Sequence, residues 1–356
     1  MRPVGQPLAD RALTESFDRL CSLAAGPVCV AVSGGGDSLA LLLIAADWAR
    51  QRGRELLVLT VDHRLRPEAA AEARFVGETA ARLGVPHRVL TWQAPVPGQA
   101  KARRARHDLL AEAAREVGSR LVLTAHTEDD QAETFLIRAR AGSGWYGLAG
   151  IQPVSLSPSE GAGDPVFLIR PLLGARRDAL RDLLRAEGQR WIEDPSNDNP
   201  AYERVRVRRM LAQQPGLRAR VLACQGRLQA LRQLQDRALT RWLHAHVSTQ
   251  PDGTLQADLP LPEGAQGERA LAALIRLSTG RTRPVRGDGL ARLTHRLQRP
   301  ETFRPATLGG AIVSLKGDML RVTAEQAPAS ELVNAIPARL AAMKTACSGG
   351  HEIKCP

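Results

Sequence analysis

The sequence predicts an α/β protein: a doubly wound, Rossmann-like parallel sheet, then a linker helix and a small α+β domain. Three observations carry that prediction. Short runs rich in valine and leucine alternate with helical stretches between residues 27 and 169, the spacing of parallel βαβ units. A strand, a glycine-rich turn and a helix start follow one another in Val30-Ala31-Val32-Ser33-Gly34-Gly35-Gly36-Asp37-Ser38. After residue 254 the pattern changes to two helices followed by two closely spaced short strands.

Taken in order, residues 9–23 form a short amphipathic helix. Residues 27–32 are a buried strand, and the Leu/Ala run 39–46 is a helix apolar nearly all round, hence buried. Residues 56–61 are the second strand, ending in Asp62-His63-Arg64-Leu65-Arg66. Pro67 opens a helix to about residue 83, and residues 86–92 are the third strand. A basic helix spans about 98–117, a fourth strand 121–124 and a helix 128–140. A glycine-rich loop (142–147), a low-complexity Ser/Pro/Gly stretch (155–165) and a fifth strand (166–169) come next. Gln213-Gln214-Pro215-Gly216 stops a further helix, and 217–246 reads as one long helix. The small domain is helical over 268–277 and 286–297, with strands at 311–315 and 319–322. The expected domains are an N-terminal extension (1–26), a catalytic domain (27–216), a linker helix (217–250), a small domain (251–325) and a loosely ordered tail (326–356).

The formal net charge of +12 over 356 residues points to a polyanionic partner such as RNA or DNA. Lysine is scarce and arginine supplies most of the positive charge. Coding bias explains that preference but not the excess over acids. Cys21, Cys29, Cys224, Cys347 and Cys355 are widely spaced without C-x-x-C, so neither a disulfide framework nor a zinc or iron–sulfur site is indicated. No run has the length of a membrane span and no signal peptide is legible, so a cytoplasmic protein is expected.

Ligands of an open α/β sheet bind beyond the carboxyl ends of its strands. The segments after strands one, two and four are therefore the ones to read. After strand one, Ser33, Gly34, Gly35, Gly36, Asp37 and Ser38 form a turn whose glycines let backbone N–H groups converge. The helix N-terminus behind it attracts phosphate. No lysine follows as in a Walker loop, and the dinucleotide spacing is absent. A carboxylate beside polyphosphate makes sense with Mg²⁺ between them, Asp37 being its ligand. After strand four, Asp130 and Glu133 are i, i+3 neighbours in the first turns of a helix, opposite Ala132, Phe135, Leu136 and Ala139. Acids favour any helix N-terminus, so periodicity alone does not decide between cap and site. Arg103 and Arg106 share a face of the basic helix. Arg204 and Arg208 lie one turn apart and can grip phosphate.

The Ser-Gly-Gly-x-Asp-Ser turn resembles the pyrophosphate (PP) loop of the N-type ATP pyrophosphatases, which cleave ATP between its α and β phosphates. Further motifs follow in order: Asp62-His63-Arg64-Leu65-Arg66, Ala102-Arg103-Arg104-Ala105-Arg106, Ala125-His126, Asp129-Asp130-Gln131-Ala132-Glu133-Thr134, Gly142-Ser143-Gly144, Arg170-Pro171-Leu172 and Asp194-Pro195-Ser196-Asn197. Over about residues 27–212 the set resembles the tRNA(Ile)-lysidine synthetases. The resemblance implies a PP-loop ATPase fold and two reaction steps. ATP adenylates the wobble cytidine of a CAU-anticodon isoleucine tRNA, and free L-lysine then displaces AMP. It also implies Asp37, Arg106, Asp130, Glu133 and Arg204 as catalytic residues, with residues 33–38 binding ATP. The acids hold the lysine ammonium or take its proton, and the arginines bind phosphate or carboxylate. A homodimer is compatible with it. His107 stands where the family has an aromatic, Ala141 where it has a basic residue, and Val205 where it has an amide. The further C-terminal domain of some longer members is not expected. Two rivals are a tRNA thiolase on the same fold, which commonly carries paired cysteines, and a basic RNA-binding protein with an inactive ATP loop, against which the intact Asp37 counts.

Overall fold

The structure is a computed structural model that describes residues 8–64, 68–93, 98–159, 164–193, 199–281, 285, 287–326 and 330–347. Expectations about Leu65, Arg66, Pro67, Asp194-Pro195-Ser196-Asn197 and residues 348–356 lie outside these. The chain divides into two compact units, the first through Ser157 and over Val166–Arg232, the second from Gln233 onward together with Pro158–Pro165.

In the first unit, helix α1 (Arg11–Cys21) starts where the Asp10 carboxylate accepts from the Leu13 N–H. Its Phe17 and Leu20 are buried, and Phe17 lies 5.6 Å from the Trp48 ring. Strand β1 (Val28–Ala31) is buried at every position, as expected of a strand covered on both faces. It leads into helix α2 (Gly36–Arg52), which is buried from Ser38 to Ala49. Strand β2 (Leu56–Asp62), helix α3 (Ala69–Arg82), strand β3 (His87–Thr91) and helix α4 (Gln99–Glu116) follow. Next come strand β4 (Leu121–Leu123), helix α5 (Glu128–Arg140) and the short helix α6 (Trp145–Leu148). Strands β5 (Val154–Leu156) and β6 (Phe167–Ile169) precede helices α7 (Arg177–Ala186) and α8 (Glu203–Gln213).

The sheet order is β3-β2-β1-β4-β6-β5. All pairings are parallel except that of β5 with β6. The chain runs outward from β1 to β3, then crosses over to β4 on the other side of β1, which makes β1/β4 a topological switch point. Cys29, Leu59, Leu90, Leu110, Val122 and Leu168 form one core cluster of this unit. The antiparallel strand β5 was not legible, because it runs into the stretch from residue 155 whose Ser/Pro/Gly content reads as low complexity.

Helix α9 (Pro215–His246) is continuous from the first unit into the second. The second unit carries an antiparallel sheet ordered β7-β8-β11-β10-β9, made of β7 (Val247–Thr249), β8 (Leu255–Asp258), β9 (Ala306–Leu308), β10 (Ala311–Lys316) and β11 (Met319–Ala324). Helices α10 (Ala265–Thr279) and α11 (Asp288–Leu297) pack against it. The tail expectation needs correcting. Ser330–Cys347 forms helix α12, and Ile336 and Leu340, one turn apart, sit in this unit's core with Leu274 and Val313. Pro337 within the helix interrupts the pattern by which a helix is recognised. Among the described residues, no helix is long and apolar enough to cross a membrane.

Candidate active site

The pyrophosphate-type loop joins β1 to α2 at the switch point. Gly34 adopts φ +86°, and a Cβ there would lie 2.7 Å from Ile192 Cδ1. Glycine is required on both counts. The Ile192 N–H donates to the Gly34 carbonyl at 2.9 Å, which ties the turn to the segment ahead of α8. Ser38 Oγ donates to the Gly35 carbonyl at 2.8 Å and accepts from the Ser33 N–H at 3.2 Å. Gly35, the N-cap of α2, offers no side-chain cap, so the first-turn N–H groups are available to an anion.

Helix α5 begins after β4 with a capping box. The Thr127 N–H donates to Asp130 Oδ2 at 2.9 Å, and the Asp130 N–H donates to Thr127 Oγ1 at 3.4 Å. Cap and site coincide here: one Asp130 oxygen closes the helix end and the other faces outward. The apolar face of α5, with Ala132, Phe135 and Leu136, packs on Val207 and Leu211 of α8 and Val221 of α9. Glu133 lies beside that contact, within reach of α8 and of the segment that follows β6.

What gathers there is an ion cluster centred on Arg177, the first residue of α7. Its Nε donates to Asp37 Oδ2 at 2.9 Å, Nη2 to Asp130 Oδ1 at 3.2 Å and Nη1 to Glu133 Oε1 at 3.3 Å. Arg204 Nε donates to Glu133 Oε2 and Arg208 Nε to Glu133 Oε1, both at 2.8 Å. The Glu133 side chain is only 1% exposed. Burial pushes the Asp37 carboxyl up against the opposing pull of Arg177. Burial also raises Asp130, but Arg177, Arg204 and the Thr127 N–H together outweigh it and hold that carboxyl below its ordinary range. For Arg177 burial disfavours the charge, yet Asp37, Asp130 and Glu133 prevail and strengthen it.

Beside this cluster lies a cationic patch. Burial lowers the Arg106 pKa, and Arg103 lowers it further. Burial with the same neighbour brings Arg170 down to about 10. Among the described residues, no carboxylate pairs with Arg106. His126, pushed down to about 3 by burial and Arg170, is neutral at ordinary pH and lies within electrostatic reach of both Asp130 and Arg106. Buried arginines with depressed pKa values and no acidic partner favour a bound anion.

Residues 9–215 match the PP-loop domain family. The tRNA(Ile)-lysidine synthase of Hyphomonas neptunium is 47% identical over 344 residues, covering 97% of this chain and 92% of its own. The chain belongs to the tRNA(Ile)-lysidine synthase family. The synthase of Rhodopseudomonas palustris is 40% identical over 83% of this chain and 90% of its own. Among solved structures, the U34-tRNA thiolase NcsA from Methanococcus maripaludis aligns at 15% identity and a TM-score of 0.47, over 62% of this chain and 79% of that one.

Of the site residues read from the sequence of this lysidine synthase family member, Asp37, Asp130, Glu133 and Arg204 come together in the ion cluster. Arg106 stands instead in the cationic patch. The sequence reading missed Arg177, in the cluster, and quoted Arg170, in the patch, only within the Arg170-Pro171-Leu172 motif and without a role at the site. Both follow β6, a strand whose carboxyl end was left out of the segments to examine. A signal was there: Arg176-Arg177 opens a helix, where the dipole disfavours positive charge. Local preference broken in this way marks a tertiary or functional demand. His107 is buried and pushed down to about 4 by burial and the neighbouring arginines. It is a neutral ring at the family's aromatic position. Val205 is buried within α8.

Proposed function

We propose that this chain ligates L-lysine to the wobble cytidine of the CAU-anticodon isoleucine tRNA in two ATP-driven steps. The observation that carries the reading is the direct link, through Arg177, between the phosphate-loop carboxylate Asp37 and the acid pair Asp130/Glu133. The phosphate loop and the acid pair are thereby neighbours, which supports a reaction in which a base activated by ATP is then attacked by an amine. In the first step the cytidine carbonyl oxygen attacks the α-phosphorus, and the bond to the bridging oxygen of pyrophosphate breaks. The loop amides at residues 34–38 and the α2 dipole take the departing charge. Arg106 and its neighbours Arg103 and Arg170 balance the polyphosphate from the other side.

Among the described residues, no group of three or more His, Cys, Asp or Glu gathers to hold a metal. A single carboxylate plus phosphate oxygens suits Mg²⁺, which keeps its waters and arrives with nucleotide. Asp37 fits that role, since Arg177 uses only Oδ2. Magnesium there would neutralise charge on the leaving pyrophosphate.

In the second step the lysine side-chain amine attacks the activated carbon, the bond to AMP breaks, and a proton passes from the nitrogen to water. Asp130, with its carboxyl held low, is a counter-ion for the ammonium rather than a strong base. Glu133 supplies the second carboxylate, and Arg204 orients it at 2.8 Å. Residues 251–325 are proposed to contact the tRNA body, because one flipped base is too small a surface to identify a tRNA. The test is mass spectrometry of nucleosides from a CAU-anticodon isoleucine tRNA after incubation with protein, ATP, Mg²⁺ and L-lysine. Lysidine replacing the wobble cytidine is the expected product. An unmodified cytidine with folded protein and saturating substrates would refute the reading.

A further inference from the structure

Every oxygen of the acid pair already has a donor. Asp130 Oδ2 accepts from Thr127 and Oδ1 from Arg177. Glu133 Oε2 accepts from Arg204, and Oε1 from both Arg208 and Arg177. The cluster is also balanced in charge: Asp37, Asp130 and Glu133 against Arg177, Arg204 and Arg208. A cationic amino acid therefore meets a neutral cluster, and it gains a full counter-charge only when a guanidinium gives way.

The three arginines are not equivalent. Arg204 and Arg208 hold Glu133 at 2.8 Å. Arg177 holds Asp130 and Glu133 at the longer 3.2 and 3.3 Å, while its shortest contact, 2.9 Å, is to Asp37 of the phosphate loop. Among the described residues, only Arg177 bonds both to that loop and to the acid pair. Its backbone is fixed, with its N–H donating to Asp129 Oδ2 at 2.7 Å and Asp129 paired in turn with Arg218. Any shift of Arg177 is thus carried by its side chain and not by its backbone. A nucleotide polyphosphate in the loop presents several anionic oxygens, and guanidinium binds phosphate bidentately and strongly.

We propose that Arg177 is an internal counter-ion occupying the amino-acid ammonium position, and that the polyphosphate of ATP draws it off and so opens the lysine site. The inference rests on the function proposed above and adds an order to it: nucleotide first, lysine second. It makes Arg177 a positioning residue that couples two sites. By linkage, each ligand must tighten the other by the same factor.

The experiment is calorimetric titration of L-lysine into the full chain, alone and with saturating Mg²⁺ and α,β-methylene-ATP, which cannot release pyrophosphate. The wild-type protein should bind lysine about tenfold or more tightly with the nucleotide analogue present, within the usual range of coupling between sites. In Arg177→Gln, lysine affinity without nucleotide should rise and the ratio should fall toward one. Arg177→Lys, which keeps the charge, should retain part of the coupling. A merely structural role would weaken lysine binding equally in both conditions and leave the ratio unchanged, which overturns the proposal. A wild-type ratio near one overturns it as well, even if both variants fail to fold. Nucleotide binding without any lysine binding in the wild-type protein would refute the proposed function itself, and this inference with it.

Discussion

Glu133→Gln keeps the shape of a buried side chain and removes its charge. In the wild-type cluster Glu133 accepts from Arg204 and Arg208 at 2.8 Å and from Arg177 at 3.3 Å. Removing one member of a buried ion pair costs about 3–5 kcal/mol. Arg204 and Arg208 are 42% and 36% exposed, so water screens the charge they are left with, and such pairs contribute about 0–1 kcal/mol. Arg177, 14% exposed, still has Asp37 and Asp130. The expected loss is therefore about 2–3 kcal/mol, below the full buried-pair figure. For a unit of this size that lowers the melting temperature by about 4–12 °C. Function should suffer separately. A charge-assisted hydrogen bond to lysine of about 1.5–3 kcal/mol is lost, which raises the lysine KM roughly ten- to hundredfold. ATP-dependent activation of the tRNA should persist. The assays are thermal unfolding and lysine titration at saturating ATP, read as lysidine formed. Unchanged melting together with an unchanged lysine dependence would mean that Glu133 is neither balanced by these arginines nor part of the lysine site.

Asp37→Asn should abolish tRNA-dependent pyrophosphate release while leaving tRNA affinity intact, since the amide cannot serve as the Mg²⁺ ligand; filter binding and a pyrophosphate assay read the two separately, and normal turnover at ordinary magnesium would refute the role. His107 is lowered from 6.5 to about 4, so its neutral form contributes stability that is present above pH 6.5 and is lost as pH falls toward 4, at up to about 1.4 kcal/mol per pH unit. His107→Phe should flatten the fall in melting temperature across that window, and a slope equal to wild type would show that His107 is not held neutral by burial. A fragment ending at Arg232 should keep α9 residues Arg218, Val221 and Gln225, which pair or pack with Glu128, Ala132 and Gln131. Shown to be folded by circular dichroism, it should lose most tRNA affinity, and its log–log salt slope should flatten by roughly 0.7–0.9 per lost phosphate contact. Affinity and slope equal to the full chain would place all RNA contacts in the first unit.

The strand–helix alternation, the phosphate loop and its preference for phosphate were legible in the amino-acid sequence alone. Each of these is local. The valine-rich strand, the glycines and the apolar α2 run lie in one continuous stretch, and their conformational preferences act over a few residues. The acid pair was half determined. Spacing put Asp130 and Glu133 on one side of α5, but an acid that caps a helix and an acid that holds a ligand leave the same trace in a sequence. Only tertiary structure showed that Asp130 does both, one oxygen on Thr127 and the other on Arg177. The misplaced charge at the start of α7 could single out Arg177, but not what it pairs with, because its three partners stand 140, 47 and 44 residues away in the chain and no periodicity spans such distances. The same holds for β5, whose place at the sheet edge depends on its antiparallel partner β6. It holds again for α12, whose pattern is broken by Pro337 and which buries Ile336 and Leu340 in a core built by residues far earlier in the sequence. Local chemistry fixed which groups the chain carries. Long-range packing decided which charges face one another, because a neutral cluster of arginines and carboxylates exists only once three separate strand ends are brought to the same edge of the sheet.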